Sequence, residues 1–554
     1  MGLFSRKPIG VLVAEANAEG QNTLKRTLGA ARLIMLGIGV IIGAGLFSVT
    51  GNAAADFAGP AITISFVIAA LGCCFAGLCY AEFASMLPVA GSAYTYSYAT
   101  MGEFIAWIIG WDLVLEYAVA AATVSISWSR YLVILLEDIG IHIPEALTLC
   151  PWDGGIVNLP ASLIVIISSL LLIRGTEKSS FVNMIIVILK ISVVIIFIII
   201  GWRYINIENY TPFIPQNTGT FGEYGISGII RGAAIVFFAF IGFDAVSTAA
   251  QETINPKRNM PIGILGSLFA CTVLYVLFAF VMLGVTNYLD FKGQDGIAPV
   301  AVAISHMGEV DANGVFRPAY DWLNKGVTLA ILAGYSSVIL VMLLGQSRVF
   351  YSMSKDKLLP PIFSEIHKKF QTPYKSNLMF MVVISILATL VPARVAGEMT
   401  SIGTLLAFII VCFGVLVMRR TMSDVPRSFK TPFVPFVPVA GILICFFLMV
   451  FLPFDTWIRL IVWMIIGIDI YILYGRKRSR FARPTNGDNG NLTLSGSVII
   501  LSLILIIMSV WHQYAIGWDQ DKILALSSIT LGILHILLFG YKFLQDRYKI
   551  KNDR

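Results

Sequence analysis

Long apolar stretches separated by short polar segments run along almost the whole chain. Each stretch has about 17 to 25 residues with few charges, which is the length a helix needs to cross the hydrocarbon core of a bilayer. A helix is expected because it satisfies its own backbone polar groups where water is absent. The pattern predicts fourteen such helices. They cover residues 32–54, 60–82, 101–134, 160–174, 180–202, 227–250, 261–286, 326–352, 377–392, 399–419, 433–452, 456–474, 494–512 and 523–543.

The scarcity of charge supports a membrane protein. Only 13% of the 554 residues are charged and 57% are apolar, whereas about 25% of the residues of a soluble protein are charged. A soluble enzyme, a disordered chain and a nucleic-acid-binding protein are therefore disfavoured, despite the net charge of +7.

The basic residues indicate which side of the membrane each loop faces. When the N-terminus is placed inside and the sides alternate, 29 of the 39 Lys and Arg residues fall on the inner side and nine on the outer side. Cytoplasmic loops are enriched in Lys and Arg, so both termini are predicted to be cytoplasmic. Residues 1–31 are polar and resemble no secretory signal. We expect a multi-pass protein of the cell membrane.

Sequence motifs for catalysis and metal binding are missing. The five histidines are isolated, no HExxH or Walker A motif occurs, and the seven cysteines form no CxxC pair. A zinc site, a disulfide framework and ATP hydrolysis are therefore not indicated. We expect no enzymatic activity, no metal and no cofactor.

Glycines are concentrated in the first predicted span, where Gly43 and Gly45 flank Ala44. Each glycine costs a helix about 1 kcal/mol relative to alanine, so this density favours an unwound segment. Close helix packing through small residues is the alternative. Unwound N–H groups and the positive end of a half-helix suit an anionic group. The sixth span is interrupted similarly at Gly242 and Asp244, and Asp244 is expected to cap the second half-helix.

Four stretches of the sequence are distinctive. They are IGAGLF in the first span, Tyr80 to Tyr117, Phe237 to Ile264, and Gly345 to Pro360. Together they resemble the amino acid, polyamine and organocation superfamily, and most closely its cationic amino acid transporter branch. The motifs are long and follow the family's order, and the likeness covers about residues 25–480.

This resemblance implies an all-α membrane protein with a LeuT-like, five-plus-five inverted repeat and about fourteen transmembrane helices. The first repeat would be residues 32–202 and the inverted repeat residues 227–419, with the substrate between their broken first helices. Helices 11 and 12 (433–474) and helices 13 and 14 (494–543) would lie outside this core. A cytoplasmic arm, linker and tail would be formed by residues 1–31, 475–493 and 544–554.

The resemblance also implies how a secondary transporter would hold an L-amino acid. The N–H groups of Gly43, Ala44 and Gly45 would bind the substrate carboxylate, and main-chain carbonyls would bind its ammonium. Those carbonyls would belong to Ile41, Phe238, Ala239 and Ile241.

Lys190 lies near the centre of the fifth span, where a charge costs at least about 2.5 kcal/mol. Burial favours the neutral amine over the ammonium, so Lys190 is a candidate for carrying a proton during transport. A permanently paired ammonium is the alternative. Proton-coupled members of the resembling family have a lysine at this place. By resemblance, its partners would be the unwound first span and Ser336 or Ser337.

Glu116 lies deep in the third span. A buried glutamate requires a cationic partner, either a substrate side chain or a group of the protein. The resembling branch uses a glutamate here near the substrate's side chain, which implies selectivity for lysine or arginine. Tyr335 is expected to limit the side-chain pocket, and its bulk argues against the longest substrates.

The leading hypothesis is a proton-coupled amino acid transporter for cationic or small neutral substrates, with protons and the lipid bilayer as its other partners. Facilitated diffusion or exchange of cationic amino acids remains an alternative. A channel, or a sensor that binds amino acids without moving them, is a second alternative because substrate recognition would look the same.

Overall fold

The fold is helical, as the hydrophobic pattern predicts. The computed structural model describes residues 2–12, 28–87, 89, 91–174, 177–250, 253–292, 299–310, 316–370, 372–481, 490–516 and 522–552. Parts of the predicted arm, linker and tail, namely residues 13–27, 482–489 and 553–554, lie outside these described residues.

The N-terminal half contains eight α-helices among the described residues. They are α1 Ala30–Ile41, α2 Thr50–Ala53, α3 Ile62–Met86, α4 Ser92–Thr100, α5 Glu103–Val114, α6 Ala120–Asp138, α7 Leu159–Ile173 and α8 Glu177–Trp202. Wider, π-helical turns cover Gly45–Val49, Ala54–Ala58 and Leu115–Val119.

The C-terminal half adds twelve helices and one small hairpin within the described residues. The helices are α9 Gly225–Val236, α10 Ala245–Thr248, α11 Pro256–Val285, α12 Pro299–Ser305, α13 Asp321–Lys355, α14 Tyr374–Leu390, α15 Ala393–Thr421, α16 Phe436–Val450, α17 Phe454–Ile470, α18 Arg476–Arg478, α19 Gly490–Ile516 and α20 Lys522–Asn552. The antiparallel strands are β1 Gly308–Val310 and β2 Phe316–Pro318.

Ten helical segments among the described residues are long and apolar enough to cross a membrane. The first of them, Ala30–Met86, has 57 residues, which at 1.5 Å per residue is much longer than the roughly 30 Å of a hydrocarbon core. Its helix is interrupted after Ile41 and again at Gly59. Three shorter apolar helices are α7, α14 and α16. The predicted helical fold is thus confirmed. The spans predicted at 32–54 and 60–82 both lie within Ala30–Met86, and each of the other twelve overlaps one of the remaining segments.

Helix α1, which ends at the first interruption, packs among other helices, including α8, α11 and α13. Helix α11 packs against both α1 and α3, while α8 packs against α1, α11 and α13. Helices α19 and α20 pack mainly against each other and against α17. His535 of α20 is joined to Asp469 of α17 by a contact of 2.7 Å. The last two helices therefore attach at the periphery, away from the helix breaks.

The N-terminal arm, defined here as residues 2–12, is docked onto the start of α5. The amide of Phe104 donates to the carbonyl of Leu3 at 3.1 Å. The amide of Lys7 donates to the carbonyl of Tyr98, also at 3.1 Å. The Lys7 ammonium contacts Asp356, just after α13, at 2.7 Å, and both side chains are buried. Tyr94 donates to the other oxygen of Asp356 at 2.8 Å. One buried carboxylate thus joins the arm, α4 and the end of α13.

The buried pair of Lys7 and Asp356 is predicted to stabilise the fold. The substitution Lys7→Met leaves a buried carboxylate without its cation, a change that costs about 3 to 5 kcal/mol. We expect a lower melting temperature of the detergent-solubilised protein, and a smaller loss in Lys7→Met combined with Asp356→Asn.

Lys375→Met is the matched control, because Lys375 also forms an ion pair, with Glu365, but both partners are substantially exposed. Surface pairs contribute little, so its melting temperature should stay unchanged. Equal losses in Lys7→Met and Lys375→Met would contradict this account of the arm.

Candidate functional site

The first helix break follows Ile41. Ile42 is extended, with φ −71° and ψ 99°, and the chain resumes as a π-helical turn at Gly45. Among the described residues, the amides of Gly43, Ala44 and Gly45 donate to no backbone or side-chain acceptor. Buried N–H groups are almost always paired, so three free amides at one place indicate a site for an anionic group.

The second helix break follows Val236. A single 3-10 turn covers Phe237–Phe240, Ile241 is extended, and α10 begins at Ala245. Gly242 has φ +110°, a conformation that side chains disfavour. A Cβ atom on Gly242 would also overlap the side chain of Val40. Glycine is therefore required where the second helix opens beside the first.

The two breaks are in direct contact. A Cβ atom on Gly45 would overlap the Cα atom of Ala239. Ile41, Ala44, Ala239 and Ile241 are all at most 4% exposed. The space between the breaks is therefore closed in this conformation, and a bound molecule requires the two segments to separate.

Tyr275 of α11 bridges the two breaks and was not identified by the sequence analysis. Its hydroxyl lies 2.6 Å from the carbonyl oxygen of Ile41 and 3.0 Å from that of Ala239. These are two of the four carbonyls expected to receive the substrate ammonium. A third, that of Phe238, accepts the amide of Ile241 at 3.3 Å. A tyrosine in the middle of an apolar span was the available signal, since its hydroxyl needs a partner there.

Lys190 of α8 lies at the end of α1 and is 1% exposed. Its ammonium donates to the carbonyls of Gly39 at 2.7 Å and Ile42 at 2.9 Å. A cation is favoured there because the carbonyl end of a helix is its negative end. The lysine stem packs on Gly334 of α13, where a Cβ atom would come within 2.6 Å of Lys190 Cε.

The two serines expected near Lys190 lie on α13, and neither is hydrogen-bonded to it among the described contacts. Ser336 donates to the carbonyl of Leu332 at 2.9 Å, one turn earlier in its own helix. Ser337 is 1% exposed. In this conformation the lysine is thus held by main-chain carbonyls of the first break.

Glu116 lies in the π-helical turn of the third predicted span and is fully buried. Asp244, at the second break, interacts with it, so two carboxyl groups face each other. Both oxygens of Glu116 lack a hydrogen bond of good geometry among the described residues. Tyr117 donates to Asp244 at 2.5 Å.

The expectation that Asp244 caps the second half-helix is wrong. Asp244 makes no capping hydrogen bond to α10. Its carboxyl group is directed instead to the third span, because Tyr117 and Glu116 approach it from that side. The position of Asp244 just before α10 suggested a role at the start of that helix. In the folded protein its hydrogen-bond partner is Tyr117, which belongs to a different span.

Aromatic side chains surround Tyr335 on the other side of the first break. The Tyr335 hydroxyl is 2.8 Å from that of Ser48, and Tyr131 donates to the carbonyl of Phe47 at 2.5 Å. The rings of Tyr131 and Tyr335 meet edge to face at 5.7 Å. Phe238, from the second break, is 7% exposed. This side of the site is apolar with hydroxyl groups, and it has no charged group of its own among these residues.

The arrangement offers separate places for the two charges of a zwitterion. Free amides at the first break suit an anion, and carbonyls from both breaks suit a cation. Among the described residues no cluster of His, Cys, Asp and Glu could hold a metal ion. The geometry therefore suits recognition of a small zwitterion by main-chain groups.

Comparison with known proteins gives consistent matches. The profile of a family described as amino acid permease matches residues 28–470. The branched-chain amino acid permease BcaP of Bacillus subtilis (strain 168) is 44% identical over 482 residues, which are 86% of this chain and 98% of that protein.

Two further relatives are named for other substrates. The methylthioribose transporter of Bacillus subtilis (strain 168) is 39% identical over 479 residues, 86% of this chain and 98% of that protein. The vacuolar cationic amino acid transporter 4 of Arabidopsis thaliana is 28% identical over 578 residues, 83% of this chain and 93% of that protein.

The contact between the breaks is predicted to require glycine at position 45. In Gly45→Ala the new methyl group meets the backbone of Ala239, and such overpacking costs about 1 to 3 kcal/mol. We expect a lower melting temperature and a loss of at least about ten-fold in uptake of labelled amino acid by proteoliposomes.

Gly326→Ala is the control, because no atom lies within 4 Å of the added Cβ atom at that position of α13. It should behave as the unsubstituted protein. Full uptake by Gly45→Ala would show that the two breaks need not approach each other.

Proposed function

We propose that this chain, which belongs to the amino acid permease family, carries L-amino acids across the cell membrane by alternating access. The family expected from the four sequence motifs is confirmed, and its members are transporters rather than enzymes. The observation that carries the proposal is the pair of adjoining helix breaks, with free amides on one and carbonyls on both.

The proposed architecture has fourteen membrane crossings with both termini in the cytoplasm. Ten segments meet the length and composition of a span, the first is long enough for two, and three shorter apolar helices complete the set. A five-plus-five inverted repeat is supported by the position of the breaks, because each opens the first helix of its five-helix half. Residues 32–202 and 227–419 would form the two halves.

The proposed substrate site uses main-chain groups. The amides of Gly43, Ala44 and Gly45 receive the α-carboxylate, and the carbonyls of Ile41, Phe238, Ala239 and Ile241 receive the α-ammonium. Tyr275 holds the Ile41 and Ala239 carbonyls when the site is closed. The incoming ammonium replaces this hydroxyl at the Ile41 and Ala239 carbonyls, so these two buried acceptors keep a donor in both states.

The side-chain end of the site favours neutral, aliphatic substrates. Phe238 and Tyr335 are apolar neighbours, and Glu116 faces Asp244 instead of an open pocket. The relative at 44% identity is named a branched-chain amino acid permease. Cationic amino acids are the second candidate, because the Arabidopsis relative is named for them and Glu116 could pair with a substrate cation.

Proton coupling is proposed to depend on Lys190. This lysine donates directly to the carbonyl end of α1. Gain or loss of its proton therefore adds or removes a positive charge beside that end of the first half-helix. Loss of the proton frees α1 to move relative to α8 and α13. Ser336 and Ser337 lie on the adjoining helix and are proposed to receive Lys190 in another conformation.

The function is tested by reconstituting the full chain in proteoliposomes. We expect labelled leucine to accumulate when the outside is more acidic than the inside, without sodium. Counterflow driven by unlabelled leucine should also occur, because a carrier exchanges its substrate whereas a channel or sensor does not. The competition panel should include arginine, alanine and methylthioribose, which has neither an α-carboxylate nor an α-ammonium. Competition by methylthioribose alone would contradict an amino acid carrier.

Removal of the Lys190 amine should allow substrate exchange to continue but abolish accumulation driven by a pH gradient. In Lys190→Met a neutral chain of similar length replaces the amine, so we expect no accumulation under an imposed pH gradient but retained counterflow. Lys257→Met, at an exposed cytoplasmic position, is the control and should respond to the gradient normally. Accumulation by Lys190→Met equal to that of the unsubstituted protein would assign proton coupling to another residue.

Glu116 should affect which side chains are accepted. If a charged Glu116 receives the cationic substrate, Glu116→Gln should weaken competition by arginine relative to leucine by at least about ten-fold, because a buried ion pair is lost. If Glu116 serves only the carboxyl pair with Asp244, the ratio of arginine to leucine competition should not change. Asp244→Asn provides the comparison, since it alters the same pair from the other side.

A further inference from the structure

A groove lies beside the N-terminal arm, on the side of the protein that we propose to be cytoplasmic, and it includes no residue of the helix breaks. It has a volume of about 450 Å³ and lies between the N-terminal arm, the start of α5 and the second half of α15. Phe4 and Arg6 line it from the arm, Ile105 from α5, and Ile409 and Phe413 from α15. None of these residues belongs to the proposed substrate site.

The wall formed by α15 is apolar along its length and basic at its end. Ile409, Phe413 and Val417 follow one another at intervals of four residues and therefore share one face of the helix. Arg420, three residues beyond Val417, continues this face and is exposed. The face thus runs from apolar positions within α15 to an arginine near the end of that helix, and the ends of a membrane-spanning helix lie near the lipid headgroups.

The arm and this face of α15 each contribute one arginine. Arg6 lines the groove from the arm, and Arg420 follows the same face of α15. Both side chains are exposed, and neither has an ion-pair partner among the residues that the structure describes. Arg419, the neighbour of Arg420, differs because it pairs with buried Glu82 at 2.8 Å. The free arginines therefore add positive charge to the mouth of an apolar groove.

We propose that the groove binds an anionic phospholipid of the inner leaflet. One acyl chain lies against Ile409 and Phe413, and the phosphate group lies between Arg6 and Arg420. The charge of the two arginines selects an anionic headgroup over a zwitterionic one, and the apolar wall accounts for a lipid instead of a free phosphate. This site rests on the proposed cytoplasmic side of the arm but not on the identity of the transported substrate.

The bound lipid also has a consequence for the arm. Arg6 and Phe4 belong to the same short segment as Lys7, which is joined to Asp356 after α13. A lipid that contacts Arg6, Phe4 and α15 at once holds this segment against the bundle. Lipid binding therefore favours the conformation in which the arm covers the cytoplasmic end of α13.

The test is native mass spectrometry of the purified full chain titrated with phosphatidylglycerol or phosphatidylethanolamine of identical acyl chains. Each basic residue near a membrane surface contributes about five-fold in affinity for anionic lipid. We expect a preference for phosphatidylglycerol that falls by at least about ten-fold in the Arg6→Ala, Arg420→Ala double variant. The control is the Lys257→Ala, Lys368→Ala double variant, which removes two exposed cytoplasmic charges elsewhere and should keep the preference.

A second measurement places the acyl chain. Phe413→Trp introduces a fluorophore in the groove, and phosphatidylglycerol brominated in its acyl chains should quench the added fluorescence more strongly than brominated phosphatidylethanolamine. Equal quenching by the two lipids, or an unchanged headgroup preference in the Arg6→Ala, Arg420→Ala variant, would overturn the proposal. Binding of inorganic phosphate to the same two arginines without quenching would also overturn it, because it would show an anion site without a lipid.

Discussion

A helix that opens inside the membrane must find partners for the backbone groups it releases, and the rest of this structure depends on that constraint. Each unsatisfied polar group in hydrocarbon costs several kcal/mol, on the order of a whole hydrogen bond. At the first break the released carbonyls are satisfied by side chains from other helices. Lys190 binds those of Gly39 and Ile42, and Tyr275 binds that of Ile41. The released amides of Gly43, Ala44 and Gly45 have no such partners in the part of the chain that the structure describes.

This asymmetry connects binding to movement. The carbonyl side of the break is held by a titratable amine and a hydroxyl, and the amide side is left for a ligand anion. Both sides belong to one short segment between Gly39 and Gly45. In the proposed mechanism, a proton on Lys190 and a substrate carboxylate on the amides act on the same piece of backbone, and this shared segment is the proposed route of coupling. The close contact between Gly45 and Ala239 extends this route to the second break.

The sequence was sufficient to predict features that depend on composition and local pattern. Hydrophobic length located the spans, glycine density located the first break, and the isolated charge of Lys190 identified a residue that needed explanation. These signals are local because helix length, helix propensity and burial of charge are set by nearby residues. The substrate roles assigned to individual residues stay predictions.

Features that depend on contacts between distant segments could not be predicted in this way. The sequence around Tyr275 does not indicate which carbonyls its hydroxyl binds. Asp244 was expected to cap its own helix, although its partner is Tyr117 in another span. The Ser336 hydroxyl donates to a carbonyl of its own helix instead of to another helix. Serine side chains often make such local hydrogen bonds to the backbone. The pair of Lys7 and Asp356 is separated by 349 positions, so no sequence period could reveal it.

The central claim, that the free amides of the first break hold a carboxylate, is tested most directly by measuring the binding of leucine and its analogues to the purified protein. Leucinamide keeps the ammonium and side chain but lacks the carboxylate. Because hydrogen bonds to a charged group contribute about 1.5 to 3 kcal/mol, the account predicts that leucine binds at least about ten-fold more tightly than leucinamide. Equal affinity of leucine and leucinamide would contradict it.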